Sequence, residues 1–142
     1  MLRPIICLTV VVLAADAPDA GKRDLARLQG NWVMAALEVD GKLVPENKLG
    51  TTLVIKGNKY TTRVKDKEFS TTIRLDPSKN PPAIDMVFTE GDNKDKILKG
   101  IYRIDGDTLK VCRGLSAGKD RPTQFGTWPN TGIFMVTWKR KP

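Results

Sequence analysis

The sequence predicts an all-β chain: eight antiparallel strands in an up-and-down meander, closed into a barrel and preceded by a short helical turn. Three observations carry that expectation. From Trp32 onward, segments with apolar residues at every second position follow one another. Most of the links between them are short and rich in Gly, Asn, Asp and Pro. No long helical segment separates them, which excludes parallel α/β folds, whose crossovers need helices. Eight strands of this length can close on themselves and leave no exposed edge. A two-sheet sandwich is the alternative with the same strand number.

The chain opens with a segment that is not part of the barrel. Met1-Leu2-Arg3 is a short positive start, Ile5 to Ala15 is an apolar run, and the small residues Ala14, Ala15 and Ala17 follow. That order is the layout of a secretory signal peptide over residues 1–17, and the run is too short for a membrane span. A buried N-terminal strand at Thr9 to Val12 is the other reading. The expected domain is therefore 18–142, exported to a periplasmic or extracellular location. No transmembrane segment is expected elsewhere.

Each element then has its own signal. Leu25 and Leu28, three apart, make Gly21 to Leu28 a helical turn that can cover one end of a core, and Gly30 ends it. Trp32 to Val39 is the first strand. Trp32, Met34 and Ala36 share one face while Leu37 and Val39 lie on the other, so a bulge is expected near Ala35-Ala36. Asp40-Gly41 is a turn, and Pro45 to Leu49 is a helical turn or loop. Thr51 to Lys56 and Lys59 to Val64 flank Gly57-Asn58, a hairpin signal. Strands follow at Phe69, Ile84, Leu98, Leu109 and Ile133. A long loop spans 114–131. Ile133 to Val136 is apolar on both faces, so its outer face needs a cover: the N-terminal turn or a second chain.

Longer motifs surround the first strand and recur downstream: Leu28-Gln29-Gly30-Asn31-Trp32, Glu38-Val39-Asp40-Gly41-Lys42, Ile55-Lys56-Gly57-Asn58-Lys59-Tyr60, Gly100-Ile101-Tyr102, Asp105 to Lys110, Cys112, Gly118-Lys119 and Arg121 to Phe125. In that order they resemble the lipocalin-like domain family of unknown function common in planctomycete bacteria. The resemblance spans nearly the whole chain after residue 17. It implies a lipocalin-like, calycin-type barrel and an exported protein, and it brings no known ligand or reaction. Gln124 stands where the family more often carries Glu, and the stretch 126–132 departs from it. In lipocalins the Gly-x-Trp tryptophan closes one barrel end beneath a basic residue of the last strand. By that pattern Gly30 and Trp32 close the barrel with Arg140, or with Lys139 if the register differs by one. A guanidinium over an indole face gains roughly 0.5–2 kcal/mol. An ordinary core tryptophan is the alternative.

The composition narrows the chemistry. The chain contains no histidine, which excludes Ser-His-Asp and Cys-His catalysis and every His-bearing metal site. Of its two cysteines, Cys7 falls in the signal segment, so Cys112 has no partner within the mature chain. Beside Arg113 it is either an activated thiol or, with no base in view, an inert strand residue. Glu90, Asp92 and Asp95 lack EF-hand spacing and read as a hairpin turn. No catalytic residue, metal or cofactor is expected, and the chain is expected not to be an enzyme. The net charge of +8 suits attraction to an anionic envelope polymer, or simply a solvated surface. Its lysines do not interleave with aromatics, so no nucleic-acid partner is expected.

What remains is the barrel interior. The inward faces place Leu53, Ile55, Tyr60, Phe69, Ile73, Met86, Phe88 and Tyr102 around it, with Thr62 and Thr71 among them. Arg121 and Phe125, on the long loop, are expected at one mouth, as ligand contacts or as pins for the loop. Apolar walls with a few polar groups are what small-molecule pockets have. The expectation is a binding protein for a small apolar or amphipathic ligand. The alternative is a structural or interaction module of the envelope with a filled barrel and a basic surface. Oligomeric state is left open.

Overall fold

A computed structural model describes residues 17–45 and 48–142, with side chains from residue 20. Residues 1–16 of the predicted signal segment lie outside the described residues, as do 46 and 47 of the predicted Pro45–Leu49 turn. A helix, α1 (Ala17–Leu28), is followed by nine strands: β1 (Gly30–Val39), β2 (Lys42–Leu43), β3 (Thr52–Lys56), β4 (Lys59–Val64), β5 (Lys67–Asp76), β6 (Ala83–Phe88), β7 (Ile97–Asp105), β8 (Thr108–Gly114) and β9 (Ile133–Arg140). From β3 to β9 each strand pairs antiparallel with the next. β1 pairs with both β3 and β9, which closes the barrel. This is the up-and-down meander that the alternating pattern and short turns predict.

One element is longer than expected and one is additional. The predicted helical turn at Gly21–Leu28 is a helix from Ala17. The ninth strand, β2, arises because Asp40 and Gly41 both take positive φ, 50° and 81°. Two left-handed residues make the tight hairpin turn whose twist suits antiparallel strands, so Lys42 and Leu43 fold back onto Val39 and Glu38. The bulge expected near Ala35-Ala36 is present as a register shift between Met34 and Ala36. It brings Leu37 onto the inner face already used by Trp32 and Met34, and both Met34 and Leu37 pack on the core.

One barrel end is sealed. Leu28 and Trp32 have no solvent exposure. The Trp32 indole donates to the Leu28 carbonyl at 3.0 Å, and the Arg140 guanidinium lies 4.2 Å from the indole centroid. Arg140 also donates to the Gln29 carbonyl at 2.7 Å and the Arg27 carbonyl at 2.6 Å. Gly30, at φ 121°, is needed here: a Cβ would sit in a strained conformation, 3.3 Å from Arg140 Nη1. Gln29 fastens α1 to the β3–β4 turn, accepting from Gly57 N at 2.7 Å and donating to Gly57 O at 2.8 Å. Asp24 on α1 accepts from the Tyr102 hydroxyl at 2.5 Å. Above this seal, Leu53, Ile55, Ile73, Tyr102, Leu109, Val111, Val136 and Trp138 fill the barrel. Among the described residues no helix is long and apolar enough to cross a membrane.

Candidate functional site

The inward faces of the strands continue past this half, where Tyr60, Met86 and Leu98 still belong to the core and the side chains beyond them leave a space. β4 and β5 pair Thr62 with Phe69 and Tyr60 with Thr71. β6 adds Phe88 and Met86, opposite Thr71 and Ile73. β7 adds Leu98, opposite Met86. On β8, Leu109 and Val111 point inward, so Arg113 does too; it pairs with Gly100 on one side and Phe134 on the other. Of these, Tyr60, Thr62, Phe69, Thr71, Met86, Phe88, Leu98 and Arg113, with Leu115 just beyond β8, line a cavity of about 260 Å³ that opens to solvent at the end opposite α1. Phe69, 56% exposed, forms the rim.

The cavity is apolar on most of its wall and polar at four points, one of them Thr62, whose hydroxyl donates to Phe69 O at 3.4 Å. At its floor the Tyr60 hydroxyl accepts from the Trp138 indole at 2.9 Å. Burial raises the Tyr60 pKa, against smaller opposing effects from the nearby Arg113 charge and the Trp138 bond. Thr71 is buried, and its Oγ1 has no hydrogen-bond partner among the described residues. Arg113 donates to the Gly114 carbonyl at 2.9 Å, and its guanidinium lies 4.4 Å from the Phe134 ring centroid. Burial lowers the Arg113 pKa, with the neighbouring Tyr60 acting the other way. None of the ion pairs among the described residues includes Arg113.

Six of the residues expected to contact a ligand therefore line this cavity: Tyr60, Thr62, Phe69, Thr71, Met86 and Phe88. Leu53, Ile55, Ile73 and Tyr102 belong to the filled half instead. The structure does not bring Arg121 and Phe125 to the mouth, because the long loop starts there and then crosses the outer wall. Arg121 donates to Ile84 O at 3.1 Å and Gly100 O at 2.8 Å, and pairs with Asp85 at 2.7 Å. Phe125 stacks on Arg103, 4.6 Å from guanidinium carbon to ring centroid. Both pin the loop. The same loop reaches over the outer faces of β8 and β1. Cys112 Sγ reaches Gly126 O at 3.4 Å, and Thr127 accepts from Gly41 N at 2.8 Å. Thr127 also donates to Glu38 at 2.5 Å. Burial raises the Cys112 pKa, which disfavours the thiolate that an activated thiol needs.

Leu98, Arg113 and Leu115 are site residues that the sequence reading did not place there. The alternation Leu109, Val111, Arg113 carries the signal for Arg113. A larger groove of about 790 Å³ runs outside the barrel, between α1, Pro81-Pro82 and the long loop. Its one carboxylate, Asp24, is already engaged by Tyr102 and Arg27.

Fold and cavity together define a closed antiparallel β-barrel, sealed at one end and hollow at the other. Comparison with family models, with curated proteins and with solved structures returns no match.

Proposed function

We propose that this protein is an exported, non-catalytic binding protein that holds a small amphipathic molecule in the open half of its barrel. The observation that supports this reading is the division of the interior. One half is packed by large side chains and sealed by Trp32. The other leaves about 260 Å³ between Met86, Phe88, Leu98 and Leu115, with polar groups from Tyr60, Thr71 and Arg113. Leaving a void costs stability, since a side chain large enough to fill it would add about 25 cal/mol per Å² of apolar surface removed from water. A cavity with convergent polar groups at the barrel mouth is the arrangement in which small barrels hold ligands. The lipocalin-like motifs around Gly30-Asn31-Trp32 agree with it.

Titration with the uncharged dye N-phenyl-1-naphthylamine tests the reading. Saturable fluorescence enhancement is expected in the native protein and is lost in Thr62→Trp, which fills the mouth. No enhancement, or enhancement that Thr62→Trp leaves intact, sinks it and leaves the filled interaction module as the better account.

A further inference from the structure

We infer that the cavity selects an amphiphile with an anionic head, a carboxylate in the first instance, bound by the Arg113 guanidinium with the Thr71 and Tyr60 hydroxyls while its apolar tail lies against Met86, Phe88 and Leu98. This rests on the binding reading above and names the ligand class of the same site. Two independent observations carry it. Arg113 is an inward-facing cation that no carboxylate among the described residues compensates. Among the described residues its one hydrogen-bond acceptor is the carbonyl of the next residue. A charge withdrawn from water normally carries a partner, because desolvation otherwise costs several kcal/mol. Thr71 is the second observation. It is 7% exposed, and its hydroxyl is the one buried side-chain oxygen or nitrogen without a partner among the described residues. It lines the same cavity as Arg113.

The geometry leaves the right part of the arginine free. Phe134 covers the face of the guanidinium. The N–H groups lie in the plane of the guanidinium and point from its edge, which suits the two oxygens of a carboxylate. The Tyr60 hydroxyl accepts from Trp138 and keeps its own proton to donate. Gly100 makes room for Arg113: a Cβ there would lie 3.0 Å from Arg113 Cβ and 2.8 Å from Cys112 O.

Isothermal titration calorimetry with octanoate and with 1-octanol tests this, since the two share a chain length and differ in the charged head. Octanoate is expected to bind the native protein about tenfold or more tightly than 1-octanol. Arg113→Met should bring octanoate down to the affinity of 1-octanol, and the isosteric Thr71→Val should weaken octanoate several-fold. Equal binding of the two probes to the native protein overturns the anionic head and keeps the cavity as a binding site. So does an equal loss of both in Arg113→Met. No binding of either probe overturns the cavity reading and this inference with it.

Discussion

Arg140→Met tests how the barrel end is held shut. In the native protein the guanidinium lies 4.2 Å from the Trp32 ring centroid and donates to Gln29 O at 2.7 Å and Arg27 O at 2.6 Å. Its pairing with Asp107, at 3.4 Å, involves a carboxylate that is 82% exposed and counts for almost nothing. The Arg27 carbonyl is near solvent, so water replaces that bond when the guanidinium is gone. The Gln29 bond is part-buried, and losing a charge-assisted bond of this kind costs about 1.5–3 kcal/mol. The indole contact adds about 0.5–1 kcal/mol. The expected destabilisation is about 2–4 kcal/mol. In urea unfolding followed by tryptophan fluorescence, this is a fall in midpoint of about 1–2 M at unchanged slope. Arg63→Ala is the comparison, because its pairing with Glu68 is exposed on both sides and its loss should leave the urea midpoint almost unchanged. Equal shifts for the two variants would refute the reasoning, since Arg140 would then be one more surface charge.

Three further outcomes are expected. Gly100→Ala should lower Tm by about 5 °C or more by scanning calorimetry, because its Cβ meets the Cys112 backbone oxygen at 2.8 Å; an unchanged Tm would show that the strands can part there. Stability should fall in alkali. Tyr60 has its pKa raised by burial, and Tyr102 by burial and then by Asp24. The stabilisation they gain from staying protonated is complete below the unfolded tyrosine value of about 10 and is lost as pH climbs above it. For Tyr60 the loss is about 1.4 kcal/mol per pH unit. Cys112, also raised by burial, adds to the fall from about pH 8.5; urea midpoints that stay level from pH 8 to pH 11 would contradict this. Arg113→Met should leave Tm equal to or above that of the native protein, and a loss of more than about 1 kcal/mol would make Arg113 a structural residue.

The barrel was legible in the sequence because strand alternation and turn chemistry are local. Residues two apart share a face wherever the strand lies, and Gly57-Asn58 or Asp105-Gly106 turns the chain by its own backbone preference. The parity conflict in Trp32 to Val39 even located the bulge. β2 was missed because two residues are too short for a periodic signal. The path of the long loop was missed as well. Its anchors, such as Arg121 to the Ile84 and Gly100 carbonyls and Cys112 to Gly126, join residues that only folding brings together. The same loop reaches over the outer faces of β8 and β1 through Cys112 and Glu38.

Inward-facing residues were assigned well, and their depth in the barrel was not. Periodicity assigns Ile73 and Thr71 to one face equally, yet Ile73 is packed in the sealed half while Thr71 faces the cavity. The difference comes from strand tilt, from stagger between neighbours and from where Trp32 and α1 plug one end, all of which are properties of the closed sheet. Arg113 makes the same point. Its alternation with Leu109 and Val111 tells that it points inward. The sequence alone determined which residues alternate, where the chain turns, and that the chain has no histidine for catalysis or metal binding. Only the tertiary structure decided which half of the barrel is filled, that Arg140 rather than Lys139 lies over Trp32, and that the inward arginine meets no acid among the described residues. Those depend on distances between strands far apart in sequence, which local pattern does not encode.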